Sequence, residues 1–113
     1  MQFIYKICPL DIWCKAKIMG IFKGYNIDLE DGFIHFSTLQ QVDRTLKKYF
    51  RDIPNLCLIK VRTKNTNIKW EKSSTGEFFP HLYGFLKIKE VVEIKKIEQD
   101  NKGRYLFKTL PLN

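Results

Sequence analysis

The stretch DGFIHFSTLQQ, residues 31–41, changes from the period of a strand to that of a helix. Its first half alternates, so that Ile34 and Phe36 share one face of a strand while His35 and Ser37 share the other. Two large apolar side chains on one face predict that this face lies in the core. His35 and Ser37 are then expected on a second surface, where they are available to other groups.

The second half of the same stretch predicts the beginning of a helix. Ser37 and Thr38 are both candidate N-caps, and a glutamine three residues after each one completes a capping box. Apolar residues at helical spacing then form one face up to Phe50, and Asp52 and Pro54 end the helix. The predicted strand therefore leads directly into a helix N-terminus.

A helix N-terminus presents unpaired N–H groups and partial positive charge, which favour a bound anion. One interpretation is that a phosphate, pyrophosphate or carboxylate lies beside His35, Ser37 and Thr38. The alternative is that Ser37 or Thr38 only caps the helix and that His35 bonds a backbone carbonyl. Taken without further context, the residues favour this second interpretation.

The rest of the chain predicts one further helix, which begins at Pro9 and Asp11 and ends at Met19, with Gly20 as its stop. The predicted strands cover residues 2–7, 32–36, 56–61, 68–72, 91–97 and 105–108. Two helices and about six strands, with the strands clustered late in the chain, indicate an α+β fold.

Three stretches have no clear period. Residues 21–31 contain three acidic residues and predict a loop with at most one short strand. Residues 64–67 predict a turn. Residues 77–85 are dense in aromatic side chains around Pro80, and we expect them to form a packed, irregular segment.

The chain has 113 residues, which is the size of a single domain with its own core. No apolar run approaches the roughly 18 residues of a transmembrane helix, so an integral membrane protein is not expected. The first ten residues, MQFIYKICPL, lack the basic segment and cleavage site of a signal peptide. We therefore expect a cytoplasmic protein, and we favour a monomer.

Twenty basic and twelve acidic residues give a formal net charge of +8, which raises nucleic acid as a partner. Sixteen of the basic residues are Lys and only four are Arg, and they are spread along the chain. Because bidentate readout of bases and phosphates usually uses Arg, a specific nucleic-acid partner is not expected. Weak, salt-sensitive binding to RNA remains a third hypothesis.

Cys8, Cys14 and Cys57 form no C-x-x-C pair, and each lies among apolar neighbours. Free buried thiols in a reducing compartment are the expected state. A zinc site needs His35 or His81 from distant positions at no recognised ligand spacing. We therefore predict no metal site.

A second set of polar residues lies late in the chain. His81 and Tyr83 share a face if their segment is extended, and Gly84 allows a ligand or another backbone to approach closely. Glu71 follows Trp70, and an acid beside Trp either has its pKa raised by desolvation or pairs with a Lys. The alternatives are a core histidine and a solvent-facing glutamate. Nucleophile-elbow, phosphate-loop and zinc-protease motifs are absent from the sequence.

Five motifs in this chain, in this order, resemble one known family. They are IYKI at residues 4–7, W-x-x-A at 13–16, D-x-x-DGFIHFST at 28–38, KWE at 69–71 and G-x-x-FPHLYG at 76–84. Together they cover the chain to about Val91 and resemble the bacterial and plant family known as domain of unknown function 952.

Members of that family resemble the ADP-ribosyltransferase fold, in which two helices pack on a split, mostly antiparallel sheet around a nicotinamide-binding cleft. The resemblance implies NAD or a related nucleotide as substrate, and transfer of ADP-ribose to an acceptor. It also places Lys6 where relatives are expected to carry His, and it predicts an Arg after Ser73 where this chain has Ser74. Both departures favour a non-catalytic module.

The resemblance implies a set of site residues. The catalytic candidates are His35, Glu71 and His81, and the cofactor-binding candidates are Lys6, Asp31, Ser37, Thr38, Trp70, Ser73 and Tyr83. Glu71, and next Asp31, would stabilise the positive charge that develops on the ribose, while Trp70 or Tyr83 would stack on nicotinamide. The alternative function is a non-catalytic module that binds a small anion or a protein partner and has structural histidines.

Overall fold

The structure is a computed structural model that describes residues 2–64 and 67–112. Its strands are β1 (Phe3–Pro9), β2 (Ile21–Phe22), β3 (Ile34–His35), β4 (Leu56–Arg62), β5 (Ile68–Lys72), β6 (Phe78–Leu82), β7 (Leu86–Lys87), β8 (Val91–Gln99) and β9 (Tyr105–Leu110). Its helices are α1 (Leu10–Met19), α2 (Ile27–Asp31), α3 (Leu39–Tyr49) and a 3₁₀ helix at Ile88–Glu90. The predicted α+β class is confirmed.

A four-stranded antiparallel sheet in the order β1-β4-β8-β9 forms the largest layer. Alternate residues of β1 face two different cores. Ile4 and Cys8 pack in the same cluster as Trp13 of α1, whereas Tyr5 and Ile7 pack with apolar residues of α3. The apolar run predicted as a central strand is β4, which pairs with β1 on one side and β8 on the other.

Two smaller antiparallel sheets complete the fold, a β2-β7 pair and the three-stranded sheet β3-β6-β5. Backbone hydrogen bonds of 2.8 Å in both directions between Tyr5 and Ser37 attach the end of β3 to β1. The register of β3 against β6 places His35 directly opposite His81. The small sheet therefore carries both histidines to the edge of the large one.

The predicted beginning of α3 is confirmed. Thr38 is the N-cap residue, and it forms a capping box with Gln41, whose Oε1 accepts a 2.9 Å hydrogen bond from the Thr38 N–H. The Gln41 amide also donates to the Phe78 carbonyl at 2.8 Å, which ties the helix to β6. The predicted end of α1 is also confirmed, because Gly20 adopts a left-handed conformation with φ of 87°.

Two stretches differ from their predictions. Residues 21–31 contain the predicted short strand, β2, but also α2, a helix of five residues that is too short to show a period. Residues 77–85 contain β6, where Pro80 has no N–H to donate but its carbonyl accepts a 3.0 Å bond from Phe36. The described residues thus hold three α-helices rather than two and nine strands rather than six. Residues 65 and 66 of the predicted turn lie outside the described residues.

Candidate functional site

The two histidines lie side by side. Their ring centroids are 5.0 Å apart, and both side chains are partly exposed, His35 by 30% and His81 by 14%. The ring of Phe33 stacks on His81 at 4.3 Å and lies 4.6 Å from His35. Strand alternation in β3 and pairing with β6 therefore unite the two histidine motifs in one place.

The side chain of His35 belongs to a buried ionic cluster built around Asp28. Asp28 Oδ1 accepts from the His35 backbone N–H at 3.0 Å and contacts His35 Nδ1 at 2.6 Å. Asp28 Oδ2 accepts from the Tyr25 N–H at 2.8 Å and contacts Lys6 Nζ at 2.6 Å. Lys6 also donates to the His35 carbonyl at 3.0 Å, and Asp31 Oδ2 lies 3.1 Å from His35 Nε2.

Burial and pairing act in opposite directions on these pKa values. Burial alone would raise the pKa of Asp28, but the hydrogen bond from His35 and the charge of Lys6 outweigh it and hold that pKa below its ordinary value. Burial lowers the pKa of Lys6, and Asp28 offsets only part of this effect. We interpret Lys6 and Asp28 as an ion pair, because each carboxylate oxygen of Asp28 contacts two nitrogen atoms and these contacts stabilise the ionised form.

Gly24 is required for the position of Asp28. Its φ of 114° is one that other residues rarely adopt, and an added Cβ would lie only 2.7 Å from the Cβ of Asp28. The backbone at residue 24 therefore approaches Asp28 as closely as sterics allow.

The second histidine has its own carboxylate. His81 Nδ1 lies 2.7 Å from Glu71 Oε1, and the same oxygen accepts a 2.8 Å hydrogen bond from the Tyr83 hydroxyl. The hydrogen bonds from His81 and Tyr83 lower the pKa of Glu71, and the bond to Glu71 raises the pKa of Tyr83. Glu71 is therefore an ionised acceptor whose Oε1 fixes the orientation of the His81 imidazole through Nδ1.

Both histidines border one cleft of about 420 Å³, which we call the histidine cleft. Its polar lining comprises Lys6, Asn26, Asp28, His35, Ser37, Thr45, Ser73 and His81. Its apolar and aromatic lining comprises Tyr5, Ile7, Tyr25, Ile27, Tyr49, Phe50, Ile53 and Phe79. The lining of the cleft thus combines polar side chains with apolar and aromatic ones.

The structure brings five of the predicted site residues directly into this lining, namely Lys6, His35, Ser37, Ser73 and His81. Glu71 and Tyr83 stand behind His81, and Asp31 contacts His35 from outside the lining. Thr38 is occupied in the capping box. Trp70 pairs with Pro80 while Glu71 pairs with Phe79, so Trp70 lies on the opposite face of β5 and is 42% exposed.

Asp28 is the functional residue that sequence reasoning missed. It has four polar contacts from three residues, Lys6, Tyr25 and His35, whereas in the sequence it is only one position of the D-x-x-DGFIHFST motif. The signal was its place four residues after Gly24 and seven before His35, but its role depends on Lys6, which is distant in the chain. Phe33, which covers both imidazoles, and Thr45, whose hydroxyl lies 3.1 Å from that of Ser37, were also missed.

Two positively charged side chains, one in the cleft lining and one next to Thr45 in the sequence, have acidic partners. Lys6 is bound to Asp28, and Arg44 forms a bidentate pair with Glu77 at 2.9 and 2.6 Å. The loop that begins at Ser73 contributes hydroxyl groups, and Ser73 Oγ contacts Thr75 Oγ1 at 2.9 Å. An anionic ligand would therefore bind here mainly to hydroxyl and imidazole groups, because Lys6 and Arg44 are already paired with carboxylates.

Two further findings concern the part of the chain that the structure describes. Within it, no group of three His, Cys, Asp or Glu side chains could hold a metal ion, and no helix is long and apolar enough to cross a membrane. Cys8 and Cys57 are buried with their sulfurs 3.9 Å apart, but Cys14 is exposed, contrary to the prediction of three buried thiols.

Fold and site together define an α+β domain with antiparallel sheets and a cleft that holds two carboxylate–histidine pairs. The chain belongs to the family described as Protein of unknown function (DUF952), whose profile matches residues 7–94. No curated protein matches the chain.

Solved structures of one bacterial protein are similar over nearly the whole length. The crystal structure of protein CC0527 from Caulobacter crescentus shares 40% identity, covers 92% of this chain and 93% of its own, and superposes with a TM-score of 0.85. The solution NMR structure of CC0527 shares 41% identity over 91% of this chain and 90% of its own, with a TM-score of 0.80. The fold described above is thus also found in an experimentally determined relative.

Proposed function

We propose that the histidine cleft binds NAD or a related nucleotide. The observation that carries this proposal is the combination in one cleft of aromatic walls with two imidazoles, each backed by a carboxylate. Pockets of 300–1,000 Å³ with apolar walls and a few convergent polar groups are the usual form of small-molecule sites. The cleft, at about 420 Å³, fits one nucleoside better than a whole dinucleotide.

The arrangement of charges favours the nicotinamide riboside portion as the buried part of such a ligand. Oxidised nicotinamide carries a positive charge. The carboxylate oxygens of Asp31 and Glu71 lie 3.1 and 2.7 Å from the imidazoles of His35 and His81, so negative charge lies next to both rings. Tyr25 and Phe79 in the lining offer aromatic surface for a planar ring. Ribose hydroxyls have Ser37 and Ser73 as hydrogen-bonding partners.

A pyrophosphate group is less well served. Lys6 is neutralised by Asp28, and the loop Ser73-Ser74-Thr75 has no Arg. We therefore expect NAD to bind more weakly than it would to a cleft with an unpaired Arg, because charge-assisted bonds to phosphate are about twice as strong as neutral ones.

The reaction that fits this ligand is transfer of ADP-ribose, on a fold of the ADP-ribosyltransferase type. In that reaction the bond from ribose C1′ to nicotinamide breaks and its electron pair leaves with nicotinamide. The acceptor oxygen forms the new bond to C1′ and gives up a proton. The cleft contributes two imidazoles, each held by a carboxylate, to the region where positive charge develops on that carbon.

A second candidate function is a non-catalytic module that binds a small anion or a protein partner. The observation that favours it is the Lys6–Asp28–His35 cluster, in which one of the two histidines serves the fold. The absent Arg points the same way. The protein would then bind its ligand in the same cleft and release it unchanged.

An NMR titration of isotope-labelled protein with NAD tests the binding proposal. We expect saturable shifts of the amides around His35 and His81, and similar shifts with nicotinamide riboside, which lacks the pyrophosphate. Shifts with NAD and no release of nicotinamide over hours support the non-catalytic module. Absence of shifts at millimolar concentrations of both ligands would reject the nucleotide proposal.

A further inference from the structure

The two histidines look alike in the sequence but differ in what their atoms contact. In His35, Nδ1 is bound to Asp28, Nε2 contacts Asp31, the backbone N–H is bound to Asp28 and the carbonyl is bound to Lys6. Nδ1 is thus hydrogen-bonded to Asp28, and the carboxylate oxygen of Asp31 lies 3.1 Å from Nε2, where a hydrogen-bond donor of a ligand would have to approach. His35 is therefore bound on every side by the protein itself.

His81 is bound on one side only. Its Nδ1 contacts Glu71 at 2.7 Å, while its Nε2 has no hydrogen-bond partner among residues 2–64 and 67–112. Phe33 stacks on one face of the ring at 4.3 Å, so a ligand does not reach the imidazole through that face. His81 also lines the histidine cleft.

Glu71 determines which nitrogen of His81 carries the proton. An ionised carboxylate accepts, so it holds the proton on Nδ1 and leaves the lone pair on Nε2. Tyr83 donates to the same Oε1 of Glu71 and thereby fixes the carboxylate in place. The lowered pKa of Glu71 agrees with this description.

We propose that His81 Nε2 is the proton-accepting atom of the histidine cleft, that Glu71 and Tyr83 are its positioning residues, and that His35 is a structural residue. The groups that it would receive are uncharged hydrogen-bond donors, such as a hydroxyl of the ligand or of an acceptor. The identity of that donor rests on the proposed function, but the assignment of Nε2 does not.

Within the proposed reaction, His81 Nε2 accepts the proton of the acceptor hydroxyl. The acceptor O–H bond breaks, its proton goes to His81 Nε2, and the oxygen electron pair forms the bond to ribose C1′. The electrons of the old C1′ bond leave with nicotinamide. The imidazolium then returns its proton to water, which restores the lone pair.

Chemical modification with diethyl pyrocarbonate tests the assignment without any ligand. The lone pair of an imidazole nitrogen attacks the reagent and becomes carbethoxylated while ethyl carbonate leaves. Mass spectrometry of peptides then gives separate rates for the two histidines. We expect His81 to react about fivefold faster than His35, since the Asp31 carboxylate lies 3.1 Å from His35 Nε2 and must move before the reagent reaches that nitrogen.

Exposure alone predicts the opposite order, because His35 is the more exposed of the two side chains, at 30% against 14%. Equal rates, or faster modification of His35, would therefore overturn the assignment. Repeating the reaction with NAD separates the two proposals. Faster modification of His81 with no protection by NAD supports the assignment and rejects NAD as the ligand.

Matched variants test the positioning residues. Glu71→Gln should slow modification of His81 about threefold, because an amide accepts more weakly than a carboxylate and makes the ring less basic. Tyr83→Phe should have a smaller effect in the same direction. A Glu71→Gln protein that folds normally and is modified at the wild-type rate contradicts the role given to Glu71.

Discussion

The two carboxylate–histidine pairs contain the same chemical groups and both histidines line the cleft, yet the carboxylate of one pair is buried in the scaffold and that of the other is exposed. Asp28 is 2% exposed and has four polar contacts, and it binds its histidine together with a buried lysine. The side chain of Glu71 is 39% exposed and has two partners, His81 and Tyr83. The comparison shows that burial and the number of partners, rather than residue type, decide which histidine is free to act.

The largest expected effect is on the buried side. Asp28→Asn leaves the Lys6 ammonium buried without its counter-charge, so we expect a loss of about 3–5 kcal/mol in the free energy of unfolding. Urea unfolding followed by circular dichroism measures it. The control is the double variant with Lys6→Met, which removes the unpaired charge and should recover part of the loss. A single variant as stable as wild type would show that the cluster is not a scaffold.

A smaller loss is expected from Gly24→Ala, which adds one carbon in contact with the same aspartate. The strained φ and the close approach to Asp28 should together cost about 1–3 kcal/mol. Gly103→Ala is a matched control, because Gly103 also has a positive φ of 80° but open space around its Cβ position. Equal losses in both variants would assign the effect to backbone strain and not to the contact with Asp28.

Acid should lower the free energy of unfolding mainly through the Asp28 pair and less through the Glu71 pair. The pKa of Asp28 is lower in the folded state than the 3.8 of an ordinary aspartate, so its contribution to stability is complete above about pH 4 and disappears as the pH falls through its folded pKa. Unfolding titrations between pH 5 and pH 2 measure this slope. We expect Asp28→Asn to flatten it clearly and Glu71→Gln to flatten it less. The reverse order would contradict the division between the two sides.

The smallest effect on stability is expected at Glu71. Because this side chain is well exposed to water, Glu71→Gln should leave the urea midpoint close to wild type, while the imidazole signals of His81 change and those of His35 do not. Two-dimensional ¹⁵N–¹H spectra of the imidazole rings detect this difference. A marked drop in the midpoint would show that the Glu71 pair is part of the scaffold as well.

Much of the fold follows from local patterns. The alternation of Ile34 and Phe36 placed both in the core, where they are 1% and 2% exposed, and the capping residues Thr38 and Gln41 marked the helix N-terminus. The α2 helix escaped prediction because five residues between two positive-φ residues carry no period. Pro80 hid β6, since a proline in a central strand normally argues against one.

The site was less predictable than the fold because its contacts are non-local. That His35 and His81 are neighbours depends on the register of β3 against β6, which the sequence does not state. Lys6 reaches Asp28 across 22 residues of chain, so no spacing rule connects them. Trp70 and Glu71 are adjacent in β5, so their side chains lie on opposite faces of the sheet and only one of them can lie beside His81.

The ring of Phe33 gives the cleft a spectroscopic label of its own. An aromatic ring stacked at 4.3 Å shifts the resonances of the carbon-bound protons of His81 through its ring current. The chain has only two histidines, and both lie beside this phenylalanine, so their signals stand apart in an ordinary one-dimensional proton spectrum. A molecule that binds in the cleft and moves either imidazole relative to Phe33 would change these chemical shifts, which can be measured without isotopes, dyes or an assay.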